Sequence, residues 1–600
     1  MIRARRARAL GLVASAALLV AACGGGQTRV GAVFSSDWHD DGGAGVRALK
    51  DKILAIPIAR NAPAAVGVFD GGVVGVALGT PGASHGAVWS FAHAIDARPL
   101  IAGTVVVGSG DGQLFALDAA TGRPLWVRPS GGPLRGVGDD GRTTVMSLGT
   151  GGDNGSVVLA ITHEGTVVRQ LETPVTVGTP GVVGHYAFLP WQGQYVTVYN
   201  LQSGEEEARL LFREQVSRVF SHGGKLYMGE LGLFRFDEEI WQASKRKASF
   251  VGLPSLEIPG DPKWFRPGAE LRGRSSDAFD KIALYAAPND GAPLALDSDR
   301  VIATYFKVAA GFDAKSGAMV WVKRRDADHI AGSAFAGGIA LCDADGQISI
   351  VRSANGAPIA STSLGRKLTS CAVEADGLGL GRGAGEDPQA PLSEQLAEVI
   401  GTGDIEMAAM QKMLIRELGK QADAKATKFL VDLAGDSRTP EALVPDVEKA
   451  LASRRTGADY MLEALRRHYD FLKDVLRPPP VGPMADALLA MKETRAAPAL
   501  VSHLFDPADT SDAVRRVAAA LAEIATPAEV AQLRNFFALY RTTAEDDNLA
   551  QAVVNVARAL VRVGGADEKA LVAKGAEDPL TVPIVKIQLA SLVEPSGQAP

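Results

Sequence analysis

From about residue 62 to 385 the chain repeats a turn glycine ahead of a short strand-like run, at Gly86, Gly122, Gly165, Gly204, Gly317 and Gly356. The spacings of 36, 43, 39, 113 and 39 residues set a period near 40, and the long gap holds one more unit at 219–250 followed by an insertion at about 254–290. The clearest unit, 98–126, parses into four strands: 100–102, 104–108, 113–118 and a last one through Trp126. Gly110-Asp111-Gly112 and Thr121-Gly122 form its turns, where glycine takes positive φ without steric cost and aspartate bonds its local backbone. A four-stranded unit of this size cannot bury both faces alone, so the units must stack around a ring, and the pattern predicts an all-β propeller over 53–385. Seven units are legible, and 368–382 supplies about half of another. Pairing that half with the apolar runs at 29–34 and 53–58 would join the two chain ends and remove an open sheet edge. Eight blades are therefore expected, with seven as the alternative. The turns also account for the 67 glycines, more than 11% of the chain against about 7% on average.

After Gly383 the strand pattern stops, and 386–391 has the composition of a linker. Helical periodicity then runs over 392–597. Leu462, Leu465, Tyr469, Leu472 and Leu476 share one helix face, as do Val514, Val517, Ala518, Leu521 and Ile524, and again Leu549, Val553, Val556, Leu560 and Val563. Alanine-rich helix pairs recur every 30 to 40 residues and are similar to HEAT-type repeats, which implies an all-α solenoid. Pro478, Pro479 and Pro480 read as a stiff break between pairs. Six hundred residues exceed what one core usually holds, and 46% apolar with 22% charged residues is the make-up of a folded chain, so a multidomain protein, propeller then solenoid, is expected.

The N-terminus reads as an address. Four arginines in the first eight residues precede an apolar run from Leu10 to Ala22, which is short for a membrane span. The run ends in Val20-Ala21-Ala22-Cys23, followed by three glycines, and this resembles the bacterial lipobox. The resemblance implies that 1–22 is a signal peptide, that Cys23 carries the acyl lipid as the first mature residue, and that 23–52 is a tether and N-terminal segment. Glycine after Cys23, where aspartate would hold a lipoprotein at the inner membrane, implies the outer membrane. No later stretch has about 18 uninterrupted apolar residues. An exported compartment permits disulfides, so Cys342 and Cys371 are a possible pair; both also lie in apolar runs where free cysteine packs as a small hydrophobe.

Ala116-x-Asp118-x-x-Thr121-Gly122-x-x-x-Trp126 resembles the repeat of the pyrroloquinoline-quinone (PQQ) propeller family, and Asp313-x-x-Ser316-Gly317-x-x-x-Trp321 repeats most of it. Asn200 with Ser203-Gly204 and Arg352 with Asn355-Gly356 are degenerate copies. The resemblance implies that Trp126, Trp321 and also Trp89 dock one blade on the next. Lipobox plus propeller further resembles the propeller lipoprotein of the outer-membrane β-barrel assembly machinery, from which the helical third departs.

The residues offer little chemistry. No Cys-Cys pair, calcium triad or catalytic aspartate falls at the quinoprotein positions, so PQQ is not expected as a cofactor. Gly82-x-Ser84-x-Gly86 matches a hydrolase string but sits in a turn between strands, whereas a nucleophile elbow needs a strand followed by a helix. Asp343-x-Asp345-Gly346 lacks the later ligands of a calcium loop and reads as a hairpin turn. No P-loop, zinc-spaced histidine set or cysteine cluster occurs. A net charge of −6 gives no field for holding nucleic acid. Lys245-Arg246-Lys247 and Lys323-Arg324-Arg325 read as solvated loops. Trp264 and Phe265, in the proline-rich insertion, are candidate surface contacts. The expectation is a non-catalytic scaffold, anchored to the membrane through Cys23 and facing the periplasm, with envelope proteins or peptides as partners, no metal and no nucleic acid. The alternatives are a periplasmic PQQ-dependent oxidoreductase and a ligand- or polysaccharide-sensing propeller.

Overall fold

The computed structural model describes residues 33–35, 44–79, 84–150, 154–212, 215–230, 233–236, 282–288, 298–313, 316–380, 389–401, 407–467 and 477–593. They form two compact units, one mainly of strands and one mainly of helices, the strand Met319–Arg324 grouping with the second.

The strand unit is a propeller, with seven antiparallel sheets among the described residues. Blades 2 (100–129), 3 (134–173), 4 (181–211) and 7 (329–363) each take four strands from one continuous stretch. Blade 5 has three described strands within 216–235, and blade 6 has four within 282–324. Blade 1 is composite. Its outer strands Ala64–Phe69, Gly72–Ala77 and Trp89–Phe91 come from the start of the unit, and its innermost strand, Ser370–Glu374, comes from the end. The register Ala64↔Glu374 through Val68↔Ser370 joins residues some 300 positions apart. That strand touches the inner strands of blade 7 on one side and blade 2 on the other.

Among the described residues seven sheets stand, the alternative to the eight expected. The half unit at 368–382 does not found a blade; it completes the first one, whose own segment carries only three strands. Residues 53–58 do not pair as a strand either. Ile53 lies on the helix Ala44–Leu54, where Val46, Leu49 and Ile53 are buried against Val183 and Phe188 of blade 4 and Val219 and Met228 of blade 5. Of 29–34 only Val33 and Phe34 are described, in a turn.

The apolar runs follow from the stacking. Each inner sheet is covered on both faces, so Val105, Val106 and Val107 are all fully buried. Val105 and Val107 face blade 3 (Val137, Met146), and Val106 faces blade 1 (Val66, Val73), as alternation along a strand requires.

The helical unit is two rows of short helices. In one row Ala408–Lys420, Val444–Ala452, Val481–Ala490, Ser511–Ile524, Asp547–Val563 and Pro583–Val593 contact one another in turn. The other row contributes the first helix of each pair: Leu392–Ile400, Ala424–Gly435, Ala458–Arg466, Ala497–His503, Val530–Tyr540 and Gly565–Glu577. This is the stacking of a helical-repeat solenoid. Helix starts carry side-chain caps at Asp423, Thr510 and Asp546. The periodicity from Leu462 continues only to Arg466, where the helix ends; 468–476 lie outside the described residues. No described helix is long and apolar enough to cross a membrane.

Candidate functional site

The repeat motif builds one turn several times. In blade 2, Oδ1 of Asp118 accepts from the Thr121 backbone N–H (2.9 Å) and hydroxyl (2.7 Å), and the Gly122 N–H donates to the Asp118 carbonyl (2.8 Å). Asp313, Ser316 and Gly317 repeat this in blade 6, with both Ser316 donors 2.8 Å from Oδ1 of Asp313. In blade 4, Asn200 supplies the acceptor to Gln202 and Ser203. Arg352 in blade 7 keeps the backbone bonds of the turn, from the Gly356 N–H to its carbonyl and from its own N–H to the Ala357 carbonyl, without the side-chain acceptor.

What the turn receives explains its glycine. Gly122 has φ +69°, and a Cβ there would lie 2.4 Å from the Trp89 ring of blade 1. The Trp89 indole N–H donates to the Ala119 carbonyl of the same turn at 3.3 Å. Trp126 in turn packs on Gly165 of blade 3, and Arg128 donates to the Gly165 carbonyl at 2.7 Å. The alanine of the motif has a role as well: Ala116 is the register partner of Trp126, as Gly75 is of Trp89, so a small residue opposite each indole leaves room for it. Trp321 is almost fully buried. Sequence reasoning missed the next member. Arg169 occupies the tryptophan place, four residues after Gly165, and packs beside Gly204 of blade 4 while donating to the Gln202 carbonyl. The four-residue offset was visible in the sequence; an arginine there did not look like a docking residue.

The structure brings Cys342 and Cys371 together as a disulfide, Cα–Cα 6.7 Å, joining the second strand of blade 7 to the inner strand of blade 1. Asp343 accepts from Asp345 and Gln347 N–H groups, the hairpin turn expected there. Cys23, Trp264 and Phe265 lie outside the described residues, as do Lys245-Arg246-Lys247.

Two polar clusters were not legible from the sequence. At one mouth of the ring, Oδ1 of Asn61 accepts from Gly103 N–H of blade 2 (2.9 Å), and its amide donates to the Ser221 carbonyl of blade 5 (3.0 Å) and to Glu374 of blade 1 (3.3 Å). Asp376 accepts the Gly223 N–H of blade 5 at 2.8 and 2.9 Å, while its own N–H donates to Glu374 at 2.7 Å. Burial pushes Glu374 up to about 7, backbone donors opposing and Asp376 adding to the shift. In blade 4, the buried Arg209 pairs with Glu206 (2.6 and 2.8 Å), lies 4.9 Å from the Trp191 ring centre and donates to the Val33 carbonyl at 2.8 Å. Val33 itself is fully buried. Both clusters join residues up to 313 positions apart or tie down the N-terminal segment, which no local pattern can signal.

In the helical unit His503, Asp506 and Asp509 gather within metal-ligand distance. Nδ1 of His503 faces Asp509 at 2.9 Å and Nε2 faces the Leu465 carbonyl at 3.1 Å. Burial lowers the His503 pKa, but these two partners outweigh it and the net shift is upward. The Leu465 contact ties His503, at the end of Ala497–His503, to the end of Ala458–Arg466, and the group reads as a fastening between helices.

With this geometry in place, a family profile described as outer membrane protein assembly factor BamB matches residues 72–228. The repeats there are BamB-like. The match runs from the Gly72–Ala77 strand of blade 1 into blade 5 and leaves blades 6 and 7 and the helical unit outside. Among solved structures, BamB from Moraxella catarrhalis is 16% identical over 51% of this chain and 86% of its own, with a TM-score of 0.25. The computationally designed Ika8 protein is 11% identical over 53% and 92%, TM-score 0.28. Hsv2 from Kluyveromyces lactis is 8% identical over 43% and 73%, TM-score 0.24. No curated protein matches the chain.

Proposed function

We propose that this protein is a non-catalytic, lipid-anchored scaffold of the cell envelope, held at the outer membrane through Cys23, facing the periplasm and binding envelope proteins or peptides. The observation that carries the reading is the BamB-like match over 72–228, a family described as an outer membrane assembly factor. The lipobox-like Val20-Ala21-Ala22-Cys23 agrees with it. The motif residues agree as well: Asp118, Thr121, Asp313 and Ser316 spend their polar groups on turns, and Trp126 packs on the Gly165 turn of the next blade. The resemblance reaches blades 1 to 5 and not the solenoid, so membership of the assembly machine is the narrower form of the proposal. Cross-linking in the native envelope followed by mass spectrometry is expected to recover reproducible protein neighbours; their absence would count against a scaffold. Cys23→Ala is expected to move the protein from the membrane to the soluble fraction. Stoichiometric PQQ binding with calcium-dependent dye reduction would overturn the non-catalytic reading.

A further inference from the structure

The chain ahead of blade 1 grips blade 4 on both faces. Val33 is fully buried in the cluster that Leu189 and Trp191 of blade 4 form with Val158 and Leu171 of blade 3. Phe34 stands edge-on to the Trp191 ring with centroids 5.8 Å apart, and Trp191 stacks on Tyr195 at 4.5 Å. Arg209, on the outer strand Glu205–Leu211, donates to the carbonyls of Val33 and Ser35 while Glu206 holds its guanidinium in place. The helix Ala44–Leu54 then buries Val46, Leu49 and Ile53 in the opposite cleft, between blades 4 and 5. The two halves of the grip reach opposite ends of the blade. Ile56 packs on the Gly184 turn between the first and second strands, whereas Trp191 and Tyr195 flank the Gln192–Gly193 turn between the second and third.

We propose that the edge of blade 4 beside the Gln192–Gly193 turn is the membrane-facing surface of the propeller, and that the lipid bilayer is what it meets. The inference rests on the reading of Cys23 as the lipidated residue. Val33 follows Cys23 by ten positions. Their Cα atoms are therefore at most about 35 Å apart when fully extended, and about 16 to 19 Å apart on average for a flexible glycine-rich stretch. Four strands spaced by about 4.8 Å make a blade about 15 Å wide, so blades 1 and 7, across the ring, lie about 30 Å beyond the edge of blade 4. The far side thus stands off by more than the mean tether length, and any swing about the Val33 pivot carries it through the widest arc. The described residues exposed beside the turn, Gln192, Gln194, Leu211 and Gln215, are uncharged, so they approach an anionic lipid surface without like-charge repulsion.

The test uses the full-length acylated protein in vesicles of phosphatidylethanolamine and phosphatidylglycerol that carry a nitroxide-headgroup lipid as quencher. A fluorophore is placed on Gln194→Cys at blade 4 or on Ser361→Cys, exposed on the outer strand of blade 7. Cys342 and Cys371 are buried and bonded to each other, so they do not take the label. The label at 194 is expected to lose fluorescence on vesicle binding and the label at 361 to keep it. Val33→Ser combined with Phe34→Ala removes the first half of the grip from the tether side and leaves blade 4 intact. The hold then falls to Ala44–Leu54, the tether lengthens, and quenching at 194 is expected to drop while vesicle binding stays unchanged. Equal quenching at the two positions in vesicle-bound protein, stronger quenching at 361, or undiminished quenching at 194 in the double variant would each overturn the orientation. Protein without an acyl chain on Cys23 by mass spectrometry that also fails to float with vesicles would overturn the lipid anchor, and the orientation with it.

Discussion

The propeller and the solenoid solve the same problem, repeats that cannot stand alone, by opposite means. In the solenoid each helix pair contacts its neighbours in sequence, so stability accumulates locally. In the propeller the ring has to close, and closure falls on Ser370–Glu374 pairing with Ala64–Phe69. Closure leaves no open edge but makes every blade depend on one distant contact; stacking tolerates loss at an end but needs each helix terminus capped. Arg562 shows the second cost: its guanidinium donates to the carbonyls of Leu521, Ala522 and Ala525 at the end of Ser511–Ile524.

The contrast can be broken most sharply by truncation. Ending the chain at 365 is expected to abolish cooperative folding of all blades, whereas ending it at 564 should leave the helices before it folded; circular dichroism and limited proteolysis separate the outcomes. Trp89→Ala removes a docked indole from the blade 1–blade 2 contact and is expected to cost about 3 to 5 kcal/mol in denaturant unfolding of the propeller. Reduction of Cys342–Cys371 tests closure again. Its 29-residue separation corresponds to about 3 to 4 kcal/mol by chain entropy, so a reductant should lower the melting temperature of the propeller and leave that of the helical unit unchanged. Arg562→Met leaves helix-end carbonyls without their donor and should destabilise the solenoid by about 1 to 3 kcal/mol, leaving the propeller melt in place.

The smallest effect is a pH dependence. The hydrogen bond His163 donates to Asp139 raises the His163 pKa, burial opposing, with a 2.8 Å contact between them. The pair's stabilisation is complete below the ordinary histidine value near 6.5 and is lost as pH rises through the raised folded value. Melting at pH 5.5 and 8.5 should differ by about 1 kcal/mol or less in wild type and by nothing attributable to this pair in Asp139→Asn.

Much of the architecture was legible in the residues because it is periodic. Turn glycines near every 40 residues, the Asp118 and Asp313 turns and the helical faces at Val514 and Leu549 are local signals, set by backbone sterics and by burial on one face or two. The candidate sites were less so. The docking role of Trp126 followed from the family resemblance, while Arg169 did the same work under a residue type that gave no warning.

By itself the sequence determined two repeat architectures, their order and the residues of each turn, since these depend on neighbours a few positions away. Only the tertiary structure decided how blade 1 is completed, because three strands at 64–91 look like a complete unit until Ser370–Glu374 arrives. It alone also joined Cys342 to Cys371, Arg209 to Val33, and Asn61 to three blades at once. Those contacts arise from ring closure, and closing a ring brings together residues whose separation along the chain carries no local trace.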